Sequence, residues 1–354
     1  MKIALITDTH FGARNDNLTF NEHFYKFYDE VFFPYLIKND IKTVVHLGDV
    51  LDRRKFVSYR IAHDFRRKFL NRFSELGIDL HLIVGNHDTY YKNTNSVNSL
   101  DELVHHENAT VYSEAEVVEF DGTQIMMMPW INSENYASAV KLMNETTAQI
   151  CMGHLEINGF EMHAGHKAEN GYSKELFKRF DMVMSGHFHK KSDDGQVYYL
   201  GTPYEITWSD HNCPKGFHLF DTSTRELTRV VNPYTLFHKV YYDDSTATVD
   251  YNTFDVESLK EKFVKIVVVN KKDFYQFDRF IDRVLNESGA HEVKIIEDFS
   301  ELDAENVDDA IIENAEDTLA LLDRYVDELD VTLDKNRLKG LLKSLYVEAS
   351  DLEL

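Results

Sequence analysis

Five short apolar runs in this chain each stop at an acid, an amide or an imidazole, and that repetition limits the fold more than any other property of the sequence. Lys2-Ile3-Ala4-Leu5-Ile6-Thr7 leads into Asp8-Thr9-His10, Thr43-Val44-Val45-His46-Leu47 into Gly48-Asp49, and Leu80-His81-Leu82-Ile83-Val84 into Gly85-Asn86-His87-Asp88. Further on, Gln149-Ile150-Cys151-Met152 runs into Gly153-His154, and Phe180-Asp181-Met182-Val183-Met184-Ser185 into Gly186-His187-Phe188-His189. A β-rich run closed by a glycine turn reads as a strand whose tip carries its polar residues above the sheet. Any one tip alone is an ordinary turn, because Asn, Gly and Asp are what turns prefer. Five in one chain are not ordinary: loops at one end of a sheet converge, and α/β architectures build their sites there.

The segments between the runs have helical spacing. Phe20, Phe24, Phe27 and Val31 predict a helix over residues 19–38, and Ile61, Phe65, Phe69, Phe73 and Leu76 predict a second, stopped by Gly77. Both stripes are core. A short helix is predicted from Ser99 to His105, strands through Thr110 to Trp130, a helix near Ala137 to Asn144, and strands at 196–200 and 216–220. At 354 residues and 43% hydrophobic content, the chain is long enough for two or three domains. No apolar run reaches the ~20 residues that span a bilayer, and the N-terminal run is too short for a secretion signal. Two cysteines, Cys151 and Cys213, imply no disulfide framework, so a reducing cytoplasm is the expected setting.

The formal charge of −23, as a uniform field, would repel a polyanion. The charge is not uniform. Residues 297–354 hold 18 acidic side chains against 5 basic ones, more than half of the whole excess. Between positions 53 and 72, Arg53, Arg54, Lys55, Arg60, Arg66, Arg67, Lys68 and Arg72 face only Asp64. A local basic surface fits this pattern, and a solvated helix face accounts for any single one of these cations equally well.

Asp8, His10, Asp49, Asn86, His154, His187 and His189 offer carboxylate, amide and imidazole donors without thiolates. That set suits Mn²⁺, Fe or Zn²⁺ and does not match a structural zinc site. It is too large for one ion. Two ions about 3.5–4 Å apart that share a carboxylate are the usual arrangement for displacing an oxygen at phosphorus, and Asp49 is suited to be the shared one. His46, His63, His81 and His218 read as surface or hydrogen-bonded core histidines. His163 and His166 read first as solvent-exposed, then as nucleic-acid contacts, and last as a third metal site. Trp208, within Tyr204 to His211, could stack on a base or pack against a following domain.

Asp8-x-His10, Gly48-Asp49, Gly85-Asn86-His87-Asp88, Gly153-His154 and Gly186-His187-Phe188-His189 resemble the five motifs of the calcineurin-like metallophosphoesterases, complete and in family order across residues 1–235. Ile6-Thr7-Asp8-Thr9-His10-Phe11-Gly12 and Gly48-Asp49-Val50-Leu51-Asp52-Arg53-Arg54 are more similar still to the SbcD-type nuclease subunits of double-strand-break repair complexes, T-even phage members above all. The resemblance implies an α/β (α+β), four-layer fold with two packed mixed β-sheets flanked by helices. It implies two divalent metal ions, Mn²⁺ first, with Mg²⁺, Fe or Zn²⁺ as alternatives. Asp8, His10, Asp49 and His189 would hold one ion, and Asp49, Asn86, His154 and His187 the other. His87 is not a ligand in this family; it would protonate or stabilise the leaving 3′ oxygen, with Asp88 orienting its ring. Some relatives have a histidine where this chain has Asp52, which leaves that position's part in substrate placement open.

Asn232-Pro233-Tyr234 marks a boundary. Beyond it a strand at Phe263 to Val269, an amphipathic helix at Asp273 to Asn286 and a strand at Glu292 to Ile296 make a small β-α-β unit. The expected organisation is a nuclease domain at 1–235, an α/β capping domain that guides DNA at 236–300, and an acidic helical tail at 301–354. In the tail, Ile312, Ala315, Leu319, Leu322, Val326 and Leu329 form a heptad seam, and Leu338, Leu341, Leu342 and Leu345 mark a second helix. The two could pack on each other. The resemblance implies instead that they grip the coiled-coil base of an SbcC-type ABC-class ATPase. It also implies a homodimer through the nuclease domain, with no membrane association. The implied function is a DNA exonuclease and endonuclease in recombination and double-strand-break repair. A generic metallophosphoesterase acting on phosphoproteins or small phosphate esters is the alternative, and a non-catalytic scaffold, which predicts a degraded donor set, is a third.

Overall fold

The computed structural model describes residues 1–163, 166–168, 171–246 and 249–297, and six residues of the tail, Val326, Lys335, Leu338, Lys339, Leu341 and Leu342, all helical. The tail's heptad seam and second helix otherwise lie outside the described residues. In chain order the strands are β1 (Lys2–Ile6), β2 (Thr43–His46), β3 (Asp79–Ile83), β4 (Ala109–Tyr112), β5 (Glu116–Phe120), β6 (Thr123–Met128), β7 (Ile150–His154), β8 (Glu161–His163) and β9 (His166–Lys167). There follow β10 (Met182–Gly186), β11 (Ser192–Asp193), β12 (Val197–Tyr199), β13 (Gly216–Asp221), β14 (Leu227–Val231), β15 (Phe237–Asp243), β16 (Phe263–Asn270) and β17 (Glu292–Ile296).

Two six-stranded sheets dominate, ordered β14-β13-β1-β2-β3-β4 and β11-β12-β10-β7-β6-β5. The strands that precede the five tips are parallel neighbours: β1, β2 and β3 in the first sheet, β7 and β10 in the second. Both sheets are mixed, since β13 pairs antiparallel to β1 and β5 antiparallel to β6. Between the sheets, Ile3, Leu5, Val45 and Ile83 meet Ile125, Met127, Ile150, Met152 and Met184. Their neighbours Ala4, Ile6, Val44, Leu80 and Leu82 point the other way, onto Phe24, Phe27, Phe32, Phe65, Phe69 and Phe73. On the far side Met126, Met128, Cys151 and Val183 pack with Ala139 and Met143 of the helix Tyr136–Glu145. The layers are therefore helix, sheet, sheet, helix, and strands covered on both faces need unbroken apolar runs rather than alternation.

Both long helices predicted between the first three tips are interrupted by a π-turn. Leu18–Phe27 passes through Tyr28–Phe32 into Phe33–Lys38, and Tyr59–Asp64 through Phe65–Leu70 into Asn71–Leu76, where Gly77 at φ 59° ends it. The wider turn shifts the buried stripe by one position, so the adjacent Phe32 and Phe33 are both fully buried.

A third, three-stranded parallel sheet, β15-β16-β17, packs with the helix Phe274–Glu287 around Tyr242, Ile266, Phe277, Phe280 and Val284. Its β16-helix-β17 part is the predicted unit; β15 has no counterpart among the predicted strands. This unit meets the helix Leu18–Phe27 through Phe20 against Phe263, with ring centres 5.1 Å apart, and the turn Trp208–Asp210 through Trp208 against Phe237 at 4.7 Å. Lys265 Nζ sits 4.3 Å above the Trp208 ring. Of the two roles open to Trp208, the structure shows the packing one. Among the described residues no helix is long and apolar enough to cross a membrane.

Candidate metal centre

Because the tip-bearing strands run parallel, their ends meet at one edge of the two sheets. Asp8 N donates to Gly48 O (3.0 Å), His10 N to Asp49 O (3.2 Å) and Phe11 N to Val50 O (2.9 Å), which ties the β1 and β2 tips together. Glycine permits this approach. A Cβ on Gly48, where φ is +96°, would lie 2.5 Å from His154 Nδ1, and one on Gly85 would lie 2.2 Å from Asp49 N. Asp8, His10, Asp49 and His187 all hold positive φ, at 51°, 43°, 54° and 88°. Non-glycine residues are strained there, and such strain persists at sites whose surroundings over-determine it.

The donor atoms fall into two groups. Asp8, His10 and His189 form one, and Asp49, His154 and His187 the other, with the donor atoms of each within 4.8 Å of one another. Asp49 Oδ2 stands between them, 3.2 Å from His154 Nε2 and 3.9 Å from His10 Nε2. Asn86 Oδ1 joins the second group, 2.9 Å from His154 Nε2 and 2.9 Å from His187 Nδ1. His10 Nε2 and His189 Nε2 face each other at 3.1 Å. His154 Nδ1 lies 2.8 Å from Leu47 O, and since a carbonyl only accepts, that nitrogen carries a proton and Nε2 is the one turned to the centre.

Charge at this site is crowded. Burial pushes the Asp8 carboxyl up against the pull of His154, and neighbouring Asp49 adds to the rise. Burial would raise Asp49 as well, but His154 and His87 hold it well below the usual range. Burial disfavours protonated His10, yet the Asp52 hydrogen bond and the Asp49 charge push it up to about 9. His154, equally buried, is pushed up to about 9 by the charge and hydrogen bond of Asp49. Buried carboxylates thus draw protons onto buried imidazoles. Divalent cations would supply that positive charge and release the protons, and the O/N donor set fits hard or borderline ions.

His87 lies at the rim, its ring 4.9 Å from that of His10. Its N–H donates to Asp49 Oδ1 (2.8 Å), and its Nδ1 lies 2.6 Å from the Asp52 carbonyl, so Nδ1 carries a proton and Nε2 is left for other work. Here the structure corrects one expectation. The Asp88 carboxylate bonds not the His87 ring but three backbone amides, Val50 N and Leu51 N at 3.0 Å and Gly85 N at 2.9 Å. Asp88 is fully buried, facing back from its turn, and it clamps the β2 tip to the β3 tip. Burial, with Asp49 nearby, pushes its carboxyl up to about 7 against those amides.

Two further residues make contacts that sequence reasoning does not reach: Asp52, whose part it leaves open, and Lys215, which it does not single out. Asp52 offers its carbonyl to His87 and its carboxylate to His10 Nδ1 at 3.4 Å. Lys215, buried and ion-paired with Asp210, donates to the carbonyl of His189 at 2.9 Å. Neither has a spacing that could have revealed it. His46, His63, His81 and His218 stay outside the donor set. His46 is buried against Thr9 Oγ1 at 3.0 Å, and burial pushes its pKa down to about 3. His163 and His166 pair across the β8-β9 hairpin.

A family model described as calcineurin-like phosphoesterase matches residues 1–191. Exonuclease subunit 1 of Enterobacteria phage T4 is 32% identical over 320 residues, which cover 89% of this chain and 90% of that one. Among solved structures, a novel archaeal phosphodiesterase aligns at 16% identity over 66% of this chain and all of its own, with a TM-score of 0.34. A glutamine-dependent NAD⁺ synthetase from Acinetobacter baumannii aligns at 8% identity over 97% of this chain and 72% of its own, with a TM-score of 0.29.

Proposed function

The chain belongs to the calcineurin-like phosphoesterase family, and from that premise we propose that it is the nuclease subunit of an ATPase–nuclease complex, hydrolysing DNA phosphodiester bonds as exonuclease and endonuclease in recombination and double-strand-break repair. The observation that carries this is the intact convergence of seven donors in two groups with Asp49 between them. A non-catalytic scaffold would have no use for that set. The similarity to a phage exonuclease subunit over nearly the whole length of both chains favours a nuclease over a phosphatase for small esters.

In this proposal Asp8, His10, Asp49 and His189 hold one divalent ion, and Asp49, Asn86, His154 and His187 the other, with Mn²⁺ the ion of choice. Such ions supply Lewis-acid polarisation of the phosphoryl oxygens. The chain's own residues do the rest. His87, with Nδ1 proton-bearing toward Asp52, presents Nε2 to the leaving 3′ oxygen and delivers or shares a proton there. Asp88 fixes the turn that carries His87 instead of orienting its ring. Residues 236–300 act as a cap over the substrate, and residues 301–354 dock an SbcC-type ATPase; dimerisation runs through the nuclease body.

The test compares Mn²⁺-dependent hydrolysis of DNA with that of p-nitrophenyl phosphate by the purified chain. DNA cleavage is expected; hydrolysis of the monoester alone would return the chain to the generic phosphoesterases. Deleting residues 305–354 is expected to abolish ATPase binding while DNA cleavage persists, and retained binding would remove the docking role from the tail.

A further inference from the structure

Buried charge gathers in two places. Among the described residues, the acidic and basic side chains withdrawn from water, histidines aside, are Asp8, Asp49 and Asp88 at the tips, and then Glu205, Asp210, Lys215 and Lys265. The second set lies on one short segment or against it. Glu205, Asp210 and Lys215 fall within residues 204–215, and Lys265 Nζ sits 4.3 Å above the ring of Trp208 in the same segment. Its contacts run two ways. Toward the three-stranded sheet, Glu205 accepts from Leu236 N at 2.5 Å and from Phe237 N at 2.9 Å, where β15 begins, and Trp208 packs on Phe237. Toward the tips, Lys215 donates to the His189 carbonyl at 2.9 Å, and Tyr204 Oη donates at 2.6 Å to the carbonyl of Thr9, between Asp8 and His10. Asp210 ties the two ends: it pairs with Lys215 and accepts from Ile206 N at 2.8 Å and Thr207 N at 3.0 Å.

Both tips held in this way carry the first donor group. In the second, His154 rests on the Leu47 carbonyl and Asn86 lies between His154 and His187. A buried charge that loses a partner is costly, so the contacts of residues 204–215 hold or give way together. We infer that this segment is a strap that couples the seating of the β15-β16-β17 unit to the affinity of the first donor group for its ion, with Lys215 and Tyr204 as the positioning residues. The inference rests on the reading of Asp8, His10 and His189 as ion donors. Such coupling is reciprocal. An ion that fixes the strap steadies the sheet, and a loosened sheet weakens the ion by the same factor.

The full chain would be titrated with Mn²⁺ by calorimetry, and its amide hydrogen exchange followed with and without the ion. In wild type, Mn²⁺ is expected to slow exchange in β15 and β16 about five- to tenfold, the lower end of ordinary coupling, and to slow β5 and β6 at the far edge of the second sheet by a smaller factor. This readout needs no variant to fold. Trp208→Ala, on the sheet side of the strap, is expected to weaken one Mn²⁺ binding event about five- to tenfold and to leave the other within about twofold. Lys215→Met with Asp210→Asn, which removes the buried pair as a unit, should weaken the same event and cancel the effect of Mn²⁺ on β15. Equal slowing of β5 and β15, both events weakened alike, or a Trp208→Ala titration like that of wild type would overturn the strap. Wild type that binds no Mn²⁺ would overturn the reading of the donors, and the strap with it; two binding events with unchanged exchange in β15 would overturn the strap alone.

Discussion

The two donor groups each have one acid and two imidazoles, the second with the Asn86 amide besides, and are steadied by different means. In the second group, His154 is fully buried and its ring is fixed by the main-chain carbonyl of Leu47 at 2.8 Å. In the first, side-chain supports join a main-chain one, the His187 amide that donates to Asp8 at 3.0 and 3.1 Å. Thr7 Oγ1 donates to Asp8 at 2.6 Å, the Asp52 carboxylate faces His10 Nδ1 at 3.4 Å, and Lys215 holds the loop of His189. A backbone carbonyl cannot be removed by substitution, and a side chain can. The first group is therefore the more open to tuning by substitution, and the second is secured to a greater degree by the fold itself. Outer supports of this kind set donor orientation and basicity, commonly by about 10–100-fold in metal affinity.

Asp49 is where the distinction should vanish. Its Oδ2 reaches both groups and its Oδ1 accepts from His87 N. Asp49→Asn is expected to lower kcat on DNA by about a thousandfold or more and to abolish both Mn²⁺ binding events in calorimetry. If one event survived at wild-type affinity, Asp49 would belong to a single group. His87→Gln probes the rim instead: a loss of about 10²–10⁴ in kcat is expected with both binding events intact. Loss of an ion in that variant would make His87 a donor.

Asp52→Ala addresses the difference between the groups directly. It deletes the carboxylate at His10 and keeps the carbonyl at His87. The expected result is about a tenfold weakening of one Mn²⁺ binding event, the other unchanged, with the kcat of the loaded enzyme near normal. Equal weakening of both events would mean that the two groups are not separately supported.

How much of the site is legible in the sequence divides along the same line. The tips are legible because a strand buried on both faces is a continuous apolar run, and such a run gives way to a turn at its end; Asp8, Asp49, Asn86, His154 and His187 stand at those run ends. The supports are not. Asp52 and Lys215 act across the fold through contacts that depend on which loops meet, and no periodicity marks them. Asp88 misleads for a related reason: adjacency to His87 suggests a contact, whereas the turn sends its carboxylate into three backbone amides. The π-turns are hidden because one extra residue in a turn changes a helical stripe too little to see, and β15 because Phe237–Asp243 mixes apolar and charged residues on a strand exposed in part.

The remaining expected effect is on stability, and it too separates the groups. His10 and His154 are raised from the usual 6.5 to about 9, so between those pH values the folded metal-free chain binds more protons than the unfolded one. Stability from this source is complete below about pH 6.5 and is lost as pH rises toward 9. In EDTA the melting temperature is expected to drop across that window by several degrees, about 3 kcal/mol for each imidazole at about 1–2 °C per kcal/mol in a chain this long. Mn²⁺ should reverse the trend, because its ligands must be unprotonated and binding grows with pH. In Asp52→Ala the drop should shrink without vanishing: the Asp52 hydrogen bond is the leading cause that raises His10, while His154 is raised by Asp49. A wild-type melting temperature flat from pH 6.5 to 9 would mean that the buried imidazoles are not held protonated by the carboxylates, and that the crowding which favours metal in both groups is absent.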